Sequence, residues 1–291
     1  MELIDTHCHL FMDPLARDIE GVRARSGQVG VNDIVVPAFD LDSWGPIRDL
    51  CGLEGVHPAI GLHPWAAHQV VTEDSPKTED TARIFPGPKD GSRGPPTGDP
   101  AEVLDPWTII EFRDRLASTL AECQAVAIGE IGLDFIVKQP PQSHQLAILR
   151  SQLALAVDLD LPVILHCRNA WEMLVGALQA FAGRITGILH AYTRHPELAG
   201  PFLKCGFFVG FGGAITQSQA KRARRSAEAL PLDRILLETD APTTGLDGID
   251  PERTEPCHVR DVAKTLANIR GVTIEQIAET TTHNARELFR L

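Results

Sequence analysis

The stretch Leu161–Ala170, LPVILHCRNA, decides the fold. Its first five residues are apolar without alternation, which suits a strand buried on both faces, as in a parallel sheet covered by helices. A polar cluster, His166, Arg168 and Asn169, closes the run. A helical period follows at once over Asn169–Ala182, with Trp171, Leu174, Val175 and Leu178 on one stripe. A strand with a polar end, feeding directly into a helix, is half of a βαβ unit.

The same grammar recurs along the chain. Strand-like runs are predicted at Glu2–Thr6, Asp33–Ala38, His57–Gly61, Ala125–Glu130, Leu161–His166, Ile185–His190, Phe207–Phe211 and Arg234–Thr239. Helical patterns are predicted over Ser143–Asp158, with Leu146, Leu149, Leu153 and Ala156 aligned, and over Pro256–Arg270 and Thr273–Phe289. Eight strands alternating with helices predict an α/β fold, a (β/α)8 TIM barrel. At 291 residues and 43% hydrophobic content, one barrel over 1–291 accounts for the whole length. One segment departs from the pattern. Residues 73–105, after the third strand, are rich in Pro and Gly and are expected to form an irregular insert on the barrel's C-terminal face.

Composition excludes several classes. No apolar run reaches 18 residues, so no membrane helix is predicted. The first residues form a strand, without a basic n-region and apolar h-region, and a cytoplasmic location is expected. The six cysteines are dispersed, with no Cys-x-x-Cys pair, which predicts reduced, mostly buried thiols. The net charge of −12 leaves no broad basic footprint for nucleic acid. The one basic cluster, Lys221–Arg225 (KRARR), reads as the solvated face of a helix. GFGGAI matches neither dinucleotide nor P-loop spacing and reads as tight packing at a strand end. A phosphate-bearing substrate would need a local source of positive charge.

Functional residues of such barrels gather at the C-terminal ends of the strands. The first strand ends in LIDTHCHL, where His7 and His9, two residues apart, share a face. The third ends in GLHPW with His63, and the fourth in AIGEIGLDF with Glu130 and then Asp134. His166 and Arg168 end the fifth, His190 the sixth (ILHAYT), and Asp240 the eighth (LLETDAP). Glu238 shares Asp240's parity one layer deeper, as a possible support. An ionised carboxylate on a buried strand is costly, so Glu130 should face a cation. Metal-ligand residue types thus end five of the eight strands and point to one mouth: four histidines and two carboxylates, enough for two divalent ions sharing Glu130. A nitrogen-rich set favours Zn, Mn, Fe or Co over Mg, although availability decides. Cys8 and Cys167 alternate to the opposite face and read as core. His57, His68, His144, His195, His258 and His283 have no evident partner and read as structural or surface residues.

With DTHCHL, GLHPW, GEIGLDF, LPVILHCRNA, ILHAYT, LLETDAP and the closing TTHNARELF, the chain resembles the TatD family of metal-dependent hydrolases, within the amidohydrolase-like barrels. The resemblance implies that His7, His9 and Asp240 hold one ion, that His166 and His190 hold another, and that Glu130 bridges. It further implies that His63 and Arg168 contact substrate, and that the enzyme is a deoxyribonuclease of the 3'-5' exonuclease type. Two such ions clamp a phosphodiester, and Asp240 is the natural proton acceptor, with Glu130 the other catalytic carboxylate. DNA or a small phosphoester would be the partner, weakly bound by a monomeric protein. Departures fall on the substrate side. IVKQPP after Phe135 leaves only Lys138 as a nearby base, HAYT carries the chain's single tyrosine, Tyr192, and Thr254-Glu255-Pro256 replaces the family's Asn-x-Pro. Two other classes compete: an amide, lactone or carboxyl-ester hydrolase, and a non-catalytic metal-binding interaction protein. Glu130, where such ester and amide hydrolases often carry a modified lysine, favours the phosphoester side.

Overall fold

The computed structural model describes residues 1–70 and 104–291. The Pro/Gly-rich insert expected at 73–105 lies, up to residue 103, outside the described residues. The strands are β1 (Leu3–Asp5), β2 (Val31–Pro37), β3 (Val56–Ala59), β4 (Ile128–Asp134), β5 (Val163–Arg168), β6 (Gly187–Leu189), β7 (Phe208–Phe211) and β8 (Ile235–Leu237). The helices are α1 (Ile19–Gln28), α2 (Trp44–Leu50), α3 (Pro106–Glu122), α4 (Gln142–Leu159), α5 (Trp171–Gln179), α6 (Pro196–Lys204), α7 (Lys221–Ala229), α8 (Val259–Arg270) and α9 (Ile274–Phe289). All strand pairs are parallel, in the arcs β1-β2-β3 and β4-β5-β6-β7-β8.

Backbone hydrogen bonds join the arcs at both seams. Between β3 and β4, Val126 N donates to Pro58 O at 2.9 Å and Gly129 N to Ile60 O at 3.2 Å. Between β8 and β1, Thr6 N donates to Leu237 O at 3.0 Å, Asp240 N to His7 O at 2.8 Å and His9 N to Ala241 O at 2.8 Å. The result is the (β/α)8 barrel that the strand pattern predicted.

The interior explains why the pattern was apolar throughout. Ile4, Val35, Ala59, Ala127, Ile164, Ile188, Phe208 and Leu236, one from each strand or its immediate start, form a single buried layer. Ala285, Leu288 and Phe289 of α9 close it from below. The opposite faces of the strands pack against the helices in a second, larger apolar shell. Side chains alternate along a strand, so two residues beyond this inner layer the next inward positions are His166 on β5, His190 after β6 and Glu238 after β8. The apolar layer therefore serves as the floor of the site.

Some boundaries differ from expectation. β4 continues past Glu130 to Asp134, because Leu133 and Asp134 still pair with Cys167 and Arg168 of β5. Gln145 of α4 secures that end, donating to Asp134 O at 3.0 Å and accepting from Asp134 N at 2.9 Å. Gly132 within β4 has φ +150°, and a Cβ there would lie 2.0 Å from His166 O, so only glycine allows the two strands to approach. β6 and β8 are shorter than predicted, each ending one residue before its inward position, His190 or Glu238.

The seam between β8 and β1 carries a fully buried carboxylate, Asp5. It accepts from Thr239 N at 2.9 Å, from His7 N at 3.3 Å and from the Thr239 hydroxyl. Asp5→Ala would strand these buried donors. We expect a loss of roughly 3 kcal/mol and a fall in Tm of roughly 6–12 °C for a domain of this size. Thermal unfolding followed by circular dichroism checks this, and an unchanged Tm would remove the seam's importance.

Candidate metal centre

The floor layer and the closed seam bring the predicted ligands together around Glu130. Its Oε1 lies 2.7 Å from His190 Nε2 and 2.9 Å from His166 Nδ1. Its Oε2 lies 3.4 Å from His7 Nε2 and 3.9 Å from His9 Nε2. Asp240 reaches in from the eighth strand, with Oδ1 at 3.5 Å from His9 Nε2 and 3.7 Å from His7 Nε2. Its other oxygen accepts from the Thr244 hydroxyl at 2.7 Å. The backbone of Asp240 is left-handed, φ 55°, which turns the chain inward at that point.

Three groups bring ligand atoms within 4.8 Å of one another: His7, His9 and Asp240; His7, Glu130 and His190; and His63, Glu130 and His166. The first two of these groups fit divalent ions on chemical grounds. His7 Nε2 and His9 Nε2 face each other at 3.3 Å beside two carboxylates. A tetrahedral ion with metal–nitrogen bonds near 2.0–2.1 Å separates its ligands by roughly 3.3 Å. His9 Nδ1 lies 3.2 Å from Pro37 O, so its ring proton sits there and its Nε2 lone pair is free for an ion.

His63 differs from the others. Its Nδ1 accepts from Trp65 N at 3.2 Å, which leaves the proton on Nε2, 3.6 Å from Glu130 Oε1. In that tautomer His63 presents a donor, not a lone pair. Its ring stacks on Phe39 at 4.7 Å and is buried. Arg168 stands at the rim, half-exposed, with Nη1 at 3.4 Å from Asp134 Oδ2.

The electrostatics show what the site demands. Burial alone would raise Glu130, but His190, His63 and His166 more than offset it and hold the carboxyl well below its usual range. Asp240 is likewise lowered by His9, His7 and His190 against the effect of burial. Burial pushes His7 down to about 4 and His63 down to about 3. Burial also opposes charge on His190, yet Glu130 carries that imidazole up to about 10. His166, lying between Glu130 and Asp134, is raised too. Buried negative charge is therefore balanced by protons on ligand-type nitrogens, and a metal ion can replace such protons.

Sequence reasoning underused three neighbours. Asp134 is fully buried and accepts from the Trp65 indole at 2.8 Å while facing His166 Nε2 at 3.3 Å. Glu238 is fully buried, and burial raises it to about 8; Oε1 accepts from Ala191 N and lies 3.9 Å from His190 Nδ1. A Cβ at Gly210 would lie 2.4 Å from Glu238 Oε2, so glycine makes its room. Asp5 is the third, and burial raises it to about 7. Parity with His7 was the available signal for Asp5. Elsewhere, His57 pairs with Asp33 at 2.7 Å, and His258 Nδ1 accepts from Glu255 N at 2.9 Å, as structural roles require.

A closed barrel with histidines and carboxylates converging at its C-terminal mouth defines the class of metal-dependent barrel hydrolases. The chain belongs to the TatD family: the family model described as TatD related DNase matches residues 4–290. The metal-dependent hydrolase YabD of Bacillus subtilis is 31% identical over 291 residues, covering 99% of each chain. The 3'-5' ssDNA/RNA exonuclease TatD of Erwinia tasmaniensis is 37% identical over 199 residues, 65% of this chain and 76% of its own. The crystal structure of the TatD homologue YjjV from Escherichia coli superposes with a TM-score of 0.79 at 28% identity, covering 99% of this chain and 98% of the other.

Glu130→Gln removes the central negative charge but keeps the shape. We expect its affinity for Zn or Mn to fall at least about tenfold, read by calorimetric titration. The wild type should gain about 2.7 kcal/mol of stability at an ion concentration 100 times Kd. Equal affinity in the variant would remove Glu130 from the ligand set.

Proposed function

We propose that the protein is a phosphodiesterase with a two-ion site, acting on DNA from the 3' end in the cytoplasm. One observation carries the two-ion reading: the two oxygens of Glu130 face two different groups of imidazoles, His190 and His166 on one side, His7 and His9 on the other. That is the arrangement of a bridging carboxylate. On this reading His7, His9 and Asp240 hold one ion, His166 and His190 the second, and Glu130 both. Zn, Mn, Fe and Co suit the nitrogen-rich set best, with Mg less suited. Divalent ions there supply Lewis-acid polarisation of a phosphoryl group and acidify water.

The chain's own groups do the rest. Asp240 is ionised, faces the mouth, and is steadied by the Thr244 hydroxyl, so it can take a proton from attacking water and pass it to the leaving oxygen. His63 Nε2–H supplies a hydrogen-bond donor. Arg168, exposed beside Asp134, meets a non-bridging phosphate oxygen. The TatD exonuclease named above supports nucleic acid as the substrate.

Asp240→Asn should lower kcat on bis-p-nitrophenyl phosphate and on single-stranded DNA by about 10²–10⁴-fold, with Tm unchanged. Mn-loaded enzyme assayed against both, and against lactones and carboxyl esters, tests the reading. Turnover of lactones or esters alone would overturn the substrate class. Full activity in the variant would overturn the proton-transfer role.

A further inference from the structure

Beside the metal centre lies an open groove of about 470 Å³, lined by Asn169, Trp171, Arg194, His195, Glu197, Leu198 and Arg222. Its walls are the segments that leave β5 and β6. Asn169 follows His166 by three residues and Arg194 follows His190 by four. A chain spans at most about 3.6 Å per residue, so these walls begin within roughly 11–14 Å of the ligand histidines.

The groove is cationic in a protein of net charge −12. Arg194 is held in place: its guanidinium donates to Asn169 Oδ1 at 3.3 Å and lies 6.0 Å from the Trp171 ring centroid. Arg222 is exposed and makes no ion pair or hydrogen bond through its side chain among the described residues. Two other arginines of the KRARR cluster are engaged: Arg224 donates to Ile215 O at 2.6 Å, and Arg225 pairs with Glu197 at 3.4 Å. The groove's one acid, Glu197, is thus matched by Arg225 from outside the lining, leaving Arg194 and Arg222 in excess. The first turns of α5, α6 and α7 also end here, and none has a side-chain cap. The N-terminal ends of these helix dipoles add to the positive potential.

We propose that this groove is a subsite for a backbone phosphate of single-stranded nucleic acid, further along the strand from the phosphodiester at the metal centre, with Arg222 and Arg194 as its cationic contacts. The proposal rests on the phosphodiesterase reading and assigns the substrate's second point of attachment. A single phosphodiester seated on the ions is too short to use it, and a strand is not. The subsite thus separates polymer from small phosphoester by affinity.

The test uses the Mn-loaded full chain and two variants, Arg222→Ala and Arg194→Ala. Binding of a fluorescent phosphorothioate single-stranded oligonucleotide is read by anisotropy across salt concentrations. Turnover of bis-p-nitrophenyl phosphate is read in parallel. We expect oligonucleotide affinity to fall about fivefold or more in each variant, and the slope of log K against log salt to shrink by about 0.7 per lost phosphate contact. Turnover of the small substrate should be unchanged. Unchanged oligonucleotide affinity in Arg222→Ala overturns the proposal. So does an equal loss of small-substrate turnover, which would locate the effect at the ions. Inorganic phosphate binding that weakens as much as oligonucleotide binding would mark a free-anion site and overturn the strand assignment. If the wild type turns over no phosphodiester at all, the functional reading fails, while the anisotropy arm still decides the subsite.

Discussion

Everything at the mouth of this barrel depends on how its last strand is fastened to its first. Ligands from position 7 and position 240 meet only if the seam closes in one register. Asp5 enforces that register with one carboxylate that serves both strands: it accepts from Thr239 on the one side and from the His7 amide on the other. Two residues above it, His7 O accepts from Asp240 N. A slip of one residue would turn every inward side chain outward. The seam therefore sets ligand geometry as well as barrel closure, and the apolar floor beneath it keeps the ligands from collapsing inward.

The second constraint is charge. Glu130 and Asp134 are buried, Asp240 is partly buried, and all three are lowered, although desolvation opposes ionisation of each. Such a cluster is tolerable only with compensating cations. Arg168 and the raised imidazoles of His166 and His190 meet part of that need. Glu238 shows the complementary behaviour. It is equally buried but faces fewer cations, and it is raised rather than lowered. The difference separates carboxylates that stay ionised among imidazoles from one that supports an imidazole from behind.

The barrel was legible because its strands are apolar on both faces, a pattern that few other folds impose. His166 and His190 were legible because parity holds on their strands: they lie two residues above Ile164 and Ile188 of the floor. Legibility failed where the chain departs from simple alternation. β4 has a register irregularity between Ile128 and Ile131, so counting along AIGEIGLDF placed its end at Glu130 and left Asp134 without a role. The tautomer of His63 was beyond reach as well, since it depends on the Trp65 amide, a contact of tertiary geometry. The grouping of Arg194 and Arg222 was hidden for the same reason, as they lie on different βα units and meet only when α6 and α7 are packed side by side.

On the proposed nucleic-acid reading, an acidic protein must keep attraction local. Long-range steering by net charge works against it, since a surface at −12 repels nucleic acid beyond a Debye length of about 8 Å at physiological salt. Attraction has to come from sources that act within that distance: ions at the mouth, the rim guanidiniums and the helix N-termini that a (β/α)8 barrel turns toward this face. Such short-range attraction admits a flexible strand end that can enter the mouth. A duplex, stiff and charged along its whole length, brings more of its phosphates against the acidic flanks. On that reading, the charge distribution agrees with the proposed subsite in favouring single-stranded ends.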